Sequence, residues 1–251
     1  MSVTRITQVR GRIFCLLLLL PAAALGSLFL AWRLLAVVDF MYPTIYEVAG
    51  IGGHIEKYAP LNRYRDGFEL TTREEHQRLF GDISTAIRDG GNGLGSLVYQ
   101  DSRGETLGVL LRPAEIIHLT DVAKLVGLLE RAGLIALCLL AVVITAVRRL
   151  RIRLPTPTRL FALTACGLFL VSVGITIAGP VDVFYGLHRW IFPSGNQWFF
   201  FYEESLMSTL MKAPDLFGYI AVVLLAVALL FFWLILWSTS RLCDSTSSQV
   251  P

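Results

Sequence analysis

The sequence predicts an all-α membrane protein with four transmembrane helices and a membrane-surface subdomain between the first and second spans. Three observations lead there. The 251 residues are 55% hydrophobic and 16% charged, with a mean hydropathy of +0.62, above the usage of average soluble domains. Four apolar runs, 13–38, 132–147, 160–178 and 218–237, approach or exceed the ~20 helical residues that cross a hydrocarbon core of about 30 Å. Arginines without acids flank these runs in two places, Arg5, Arg10 and Arg12, and Arg148, Arg149, Arg151, Arg153 and Arg159.

The first run follows three arginines and contains Ala22–Ala24, features shared with a cleaved secretory signal. Its apolar character continues through Leu28, Phe29, Leu30 and Trp32, longer than a signal core of about 7–15 residues, so it reads as a retained span. The second run is short, and Leu125, Val126, Leu128 and Leu129 extend it upstream. By the positive-inside bias both arginine clusters face the cytoplasm. Four spans return the C-terminus, flanked by Arg241, to the same side. The organisation expected is 1–38 for the N-terminus and first span, 39–131 extracytoplasmic, 132–178 for the second and third spans with their basic loop, 179–217 an aromatic extracytoplasmic segment, and 218–251 for the last span and a polar tail read as disordered. The net charge of +3 comes from the cytoplasmic arginines and gives no reason to expect nucleic acid. Cys15, Cys138 and Cys166 lie in or beside spans and Cys243 in the tail, so the outward segments have no disulfides among themselves; Cys15 reads as a small apolar filler.

The first outward segment is too long and polar for a connector. A short helix from about Thr44 to Lys57, interrupted at "GIGGH", leads into the turn-rich "APLNRYRDGF". A clear helix then starts at Thr71 or Thr72, since Thr71 with Glu74 or Thr72 with Glu75 makes a capping box. Leu79, Phe80, Ile83, Ala86 and Ile87 give it an apolar stripe, and "DGGNG" ends it. "LGSLVY" and "TLGVLL" read as a small hairpin, and "GNGLGS" as a turn. Pro113 opens a further helix in "RPAEIIHLTDVAKL", at a first-turn position where its missing N–H costs nothing. Glu115, His118, Asp121 and Val122 share one face of it. The second outward segment, "GPVDVFYGLHRWIFPSGNQWFFFYEESLMSTLMKAPDLF", forms an aromatic interfacial belt that includes Trp198 and encloses His188 and Arg189.

All four histidines, His54, His76, His118 and His188, fall outside the spans, which argues against a haem held between membrane helices. His54, in a glycine turn, and His76, at the edge of an apolar stripe, read as surface or packing residues. His118 stands apart because an aspartate at i+3 can fix its tautomer and leave the other ring nitrogen as a base. Spacing alone also fits an ordinary amphipathic helix. A zinc site from His118, Asp121 and His188 would lack any clustered ligand pair such as H-x-x-x-H.

On a four-span frame, "AEIIHLTDVAKL" with "FYGLHRWIFPSGNQWFFFYEE" resembles the bacterial integral membrane family that includes the lipoprotein intramolecular transacylase. Glu115, His118, Asp121 and Val122 match its E-x-x-H-M-x-D-V pattern, and His188, Ile191, Phe192 and Trp198 fit its F-H-x-x-F-F element approximately. Leu119 replaces the usual methionine, and no phenylalanine directly precedes His188. The resemblance implies an acyltransferase of the bacterial cytoplasmic membrane with its site on the outer face. It would move the sn-2 acyl chain of a diacylglyceryl lipoprotein to the α-amine of that lipoprotein's own N-terminal cysteine. His118, oriented by Asp121, takes the amine proton in this reading, and His188 protonates the leaving alcohol or stabilises the oxyanion; the reverse assignment is equally open. Arg189, Asn62, Arg65, Glu115 and Trp198 are the candidates for substrate contacts. No cofactor or metal is implied, and the partner is a membrane lipid or lipoprotein. Two alternatives stay open beside it: a non-catalytic membrane module that docks a lipid or protein, and a lipid hydrolase or acyltransferase with another acceptor.

Overall fold

A computed structural model describes residues 3–152, 154–192 and 195–244. The side chains of residues 3–10, 243 and 244 lie outside that description, and so do Arg5, Arg10, Arg153, Cys243 and the tail after Asp244 as elements of the sequence reading. The chain is an all-α membrane protein. Its helices are α1 (Val3–Val37), α2 (Tyr42–Val48), α3 (Ile51–Tyr58) and α4 (Arg73–Arg88), followed after a hairpin of β1 (Val98–Gln100) and β2 (Thr106–Val109) by α5 (Pro113–Arg149), α6 (Pro157–Ala178), α7 (Pro180–Ile191), α8 (Leu206–Met211) and α9 (Asp215–Asp244). α1, α5, α6 and α9 are long and apolar enough to cross a membrane.

The amphipathic stretch that begins at Pro113 and the second apolar run form one unbroken helix, α5. Its 37 residues span about 55 Å at 1.5 Å per residue, well beyond a hydrocarbon core of about 30 Å. Two compact units divide the chain, and the boundary falls at Leu128 and Leu129 of α5. Residues 129–149 of α5 belong to one unit, and its first four turns belong to the other.

The membrane unit comprises residues 1–33, 129–183 and 224–251. Cys15, Leu19, Ala22 and Ala23 of α1 pack with Leu140, Val143 and Val147 of α5, Leu160 of α6 and Phe232 and Leu236 of α9. Small residues let helices approach closely where lipid offers no hydrophobic drive for association. A Cβ on Gly133 would run into Phe29, and one on Gly26 would stand 2.7 Å from Leu137 Cδ2. Most other apolar side chains of these helices are exposed, among them Leu163, Phe169, Val171 and Ile177 of α6, as befits helices solvated by acyl chains.

The polar unit comprises residues 34–128 and 184–223. α1 leads into it through three consecutive left-handed residues, Asp39, Phe40 and Met41, with φ of 44°, 52° and 62°, a conformation costing roughly 1–2 kcal/mol per residue. Burial of Phe40 and Tyr42 offsets that cost: the Tyr42 ring stacks on Phe80 at 4.2 Å, and its hydroxyl donates to the Leu210 carbonyl at 2.8 Å. Gly50, at φ 62°, separates α2 from α3, while Gly52 and Gly53 sit inside α3.

Thr72 is the N-cap of α4, its hydroxyl accepting from Glu75 N–H at 3.3 Å. Leu79, Phe80, Ile83 and Ala86 are buried, each large side chain contributing about 1.5–3 kcal/mol. The predicted hairpin is present and antiparallel, pairing Val98 with Val109 and Tyr99 with Gly108. Glu75 fastens it to α4, receiving both prongs of Arg78 at 2.7 and 2.6 Å and the Gln100 N–H at 2.8 Å. Such a two-pronged ionic contact fixes orientation as well as adding energy.

Candidate functional site

The start of α5 is fixed before any reactive group is placed. Arg112 holds the N-cap position, its carbonyl accepting from Ile116 N–H, and its own N–H donates to Glu115 Oε2. Glu115 Oε1 accepts from the Ser205 hydroxyl, and that hydroxyl oxygen in turn caps α8 by accepting from Ser208 N–H at 2.9 Å. Glu115 has no solvent exposure, so its carboxylate ties the beginnings of α5 and α8 together and is closed to any substrate. Burial pushes this carboxyl up from its ordinary pKa, and the Ser205 and Arg112 bonds pull it back.

One turn further along, the His118 ring lies 5.0 Å from the Phe192 ring and 6.0 Å from that of Phe200. His188, on α7, lies 5.4 Å from the same Phe192. Those distances bound the separation of the two imidazole centroids at about 10 Å. His188 is packed further by Phe184 at 3.9 Å and Trp198 at 5.0 Å. Its Nδ1 stands 2.9 Å from the Phe184 carbonyl. A carbonyl only accepts, so Nδ1 carries a proton, and Nε2 makes no hydrogen bond among the described residues.

His118 makes no protein hydrogen bond through either ring nitrogen among the described residues, and Asp121 does not orient it by direct contact. The Asp121 carboxylate accepts from Lys124 Nζ at 2.9 Å and from Asn196 Nδ2, both of which hold its pKa below the usual range. Asp121 thereby ties the loop after α7 to α5 and positions the aromatic residues around His118 from a distance. Burial and, to a lesser extent, the nearby His188 lower the His118 pKa to about 4 against the opposing pull of Asp121. The ring is neutral at neutral pH and its polar capacity is unspent.

The remaining sequence candidates divide. Trp198 belongs to the histidine cluster. Asn62 and Arg65 make no hydrogen bond to either histidine among the described residues: Asn62 Oδ1 accepts the N–H groups of Tyr64 and Arg65 at 3.0 and 2.9 Å, and Arg65 Nε donates to the Val109 carbonyl at 2.7 Å. Arg189 is exposed and has no hydrogen bond or ion pair among the described residues, so it stands apart from the cluster. Sequence reasoning missed Arg112, whose guanidinium lies 4.5 Å from the Tyr64 ring centroid and 6.0 Å from that of Phe200. It also missed Asn196 and Ser205, whose partners are 75 and 90 residues away in sequence.

Two half-buried imidazoles packed by aromatic rings, with no hydrogen bond among the described residues to either nitrogen of His118 or to Nε2 of His188, can accept and return protons on a substrate bound between them. Among the described residues no three His, Cys, Asp or Glu side chains converge as a metal-binding group. α7 has no buried residue and exposes Leu187, Trp190 and Ile191. That apolar surface suits an amphipathic helix in a membrane interface. Compared with family models, curated proteins and solved structures, the chain matches none.

Proposed function

We propose that this protein is a bacterial acyltransferase of the cytoplasmic membrane, resembling the lipoprotein intramolecular transacylase. In this reading both termini are cytoplasmic and the histidine cluster faces outward, as the arginines flanking the first run and joining the second to the third favour. The substrate is a diacylglyceryl lipoprotein. The observation that carries the reading is the placing of His118 and His188, 70 residues apart in sequence, against one Phe192 ring with three imidazole nitrogens making no hydrogen bond among the described residues.

The cysteine α-amine, with a pKa near 8, attacks the sn-2 ester carbonyl in its neutral form. As the C–N bond forms, the amine becomes acidic and gives a proton to His118. The burial that keeps His118 neutral also makes it a weak base, which suits a proton released only after attack. Collapse breaks the bond from the carbonyl carbon to the sn-2 oxygen, and the proton held by His118 passes to that oxygen, directly or by way of the open Nε2 of His188. The products are an amide and a free sn-2 hydroxyl, with no covalent enzyme intermediate. Holding amine and ester in one bound molecule supplies the proximity.

Expression in a bacterial membrane that makes diacylglyceryl lipoproteins, followed by the mass and fragmentation of a lipoprotein's N-terminal peptide, tests this. An N-acyl, lyso-type peptide that appears only with the protein supports it. Unchanged diacylglyceryl peptide sinks this substrate.

A further inference from the structure

Beside the histidine cluster stands a group of donors without acceptors. Nε and Nη2 of Arg112 are buried and make no hydrogen bond among the described residues, and neither does Nδ2 of Asn62. Arg112 Nε is 3.7 Å from Glu115 Oε2, an ionic contact beyond hydrogen-bond reach. Asn62 is 9% exposed; its Oδ1 is fixed by two backbone N–H groups, so its free end must be the amide nitrogen. Buried polar groups are nearly always bonded in native structures. All three orphans here are donors, so the missing partner is rich in acceptors.

Charge points the same way. Arg65 and Arg112 surround one carboxylate, Glu115, and both draw its pKa down against the effect of burial. Arg63 is already paired with Glu204 at 3.4 Å, and Arg65 is in no ion pair among the described residues. Around Glu115 itself, two guanidinium groups face one carboxylate. Apart from the 3.7 Å ionic contact of Nε with Glu115, the Nε–Nη2 edge of Arg112 is unbonded among the described residues, and such an edge matches two oxygens of a planar or tetrahedral anion. Leu61 and Tyr64, 54% and 52% exposed, add apolar surface at its rim.

The geometry points to Arg112, Arg65 and Asn62 as a binding site for the phosphodiester of a membrane phospholipid headgroup, with Tyr64 packed against the Arg112 guanidinium. A phosphodiester carries a negative charge and the acceptor oxygens that these donors lack. The site does not depend on the acyl-transfer reading, since it concerns binding alone.

The full-length protein, purified in a neutral maltoside detergent, is titrated with phosphatidylglycerol, with diacylglycerol and with inorganic phosphate, and bound lipid is read by native mass spectrometry. Phosphatidylglycerol should bind at least tenfold more tightly than diacylglycerol. Arg112→Gln should abolish that preference, and Arg112→Lys, which keeps the charge without the fork, should reduce it several-fold. Because Arg112→Gln also strips Glu115 of its partner, Asn62→Asp provides a second test: it keeps the acceptor that caps the turn, replaces the free donor, and should weaken phosphatidylglycerol at least tenfold with the unfolding temperature retained. Equal binding of both lipids, or a preference that survives Asn62→Asp in a folded protein, would overturn the site. Inorganic phosphate binding as tightly as phosphatidylglycerol would overturn the headgroup as its occupant. None of these outcomes bears on acyl transfer at His118 and His188.

Discussion

His76, buried, and His118, half-buried, both sit among aromatic rings and both have pKa values lowered to about 4, chiefly by desolvation, yet their bonding differs completely. His76 is 5% exposed, with Nε2 2.7 Å from the Thr71 hydroxyl and Nδ1 2.9 Å from the Tyr46 hydroxyl. Thr71 donates its own proton to the Phe68 carbonyl at 2.6 Å, so it accepts from Nε2–H, and Nδ1 accepts from Tyr46. Every polar valence of that ring is used, which makes His76 a structural cross-link. The rings around half-buried His118 offer its nitrogens no hydrogen bond. A lowered pKa therefore does not by itself single out a functional histidine; the proposal for His118 rests on its unbonded nitrogens beside a second histidine.

The comparison breaks most visibly under alanine substitution. His118→Ala should reduce acyl transfer about 10²–10⁴-fold, the range for a lost general acid or base, with the protein still folded in detergent; His188→Ala should fall in the same range. Lipoprotein peptide mass spectrometry reads both. His76→Phe should do the converse, leaving the rate per folded molecule unchanged. Stripping Tyr46 and Thr71 of a shared partner should cost about 3–4 kcal/mol in denaturant unfolding, at about 1–3 kcal/mol per orphaned group.

Next in size is a pH effect. The His76 pKa is about 4 in the folded protein against an ordinary value of about 6.5. Its contribution to stability is complete above the unfolded value and is lost as pH falls from about 6.5 towards 4, because the unfolded chain binds the proton first. Up to about 3 kcal/mol is at stake, and unfolding measured against pH should lose this slope in His76→Phe. The smallest effect concerns the tether. Asn196→Ala frees Asp121 and should slow transfer about tenfold, the scale of a modest misplacement, without changing the stability of the Tyr46–His76–Thr71 chain.

Hydropathy made the four spans legible, and the Thr72–Glu75 box and the stripe from Leu79 to Ala86 did the same for α4, because those signals are local. Pro113 marked the start of α5. The union of that stretch with the span could have been inferred from the lack of any proline between Pro113 and Arg149, since the two glycines there are tolerated inside a helix. α7 was hidden by its aromatic content, although Pro180 at its start was a signal. His118 and His188 were picked out by residue type and neighbours. The partners of Asp121 and Glu115 could not be, because Asn196 and Ser205 reach them only through tertiary folding. The expectation that Asp121 bonds His118 rested on helical spacing, which brings two side chains near without deciding which neighbour each one chooses.

The most direct test of the account compares His118→Ala and His76→Phe with wild type in one membrane, measuring the N-terminal lipoprotein peptide and the amount of folded protein in each. The account predicts lyso-type N-acyl peptide from wild type and from folded His76→Phe, and none from folded His118→Ala. Lyso-type peptide persisting in His118→Ala would contradict it, because the open-valence histidine would then be as dispensable to the chemistry as the saturated one.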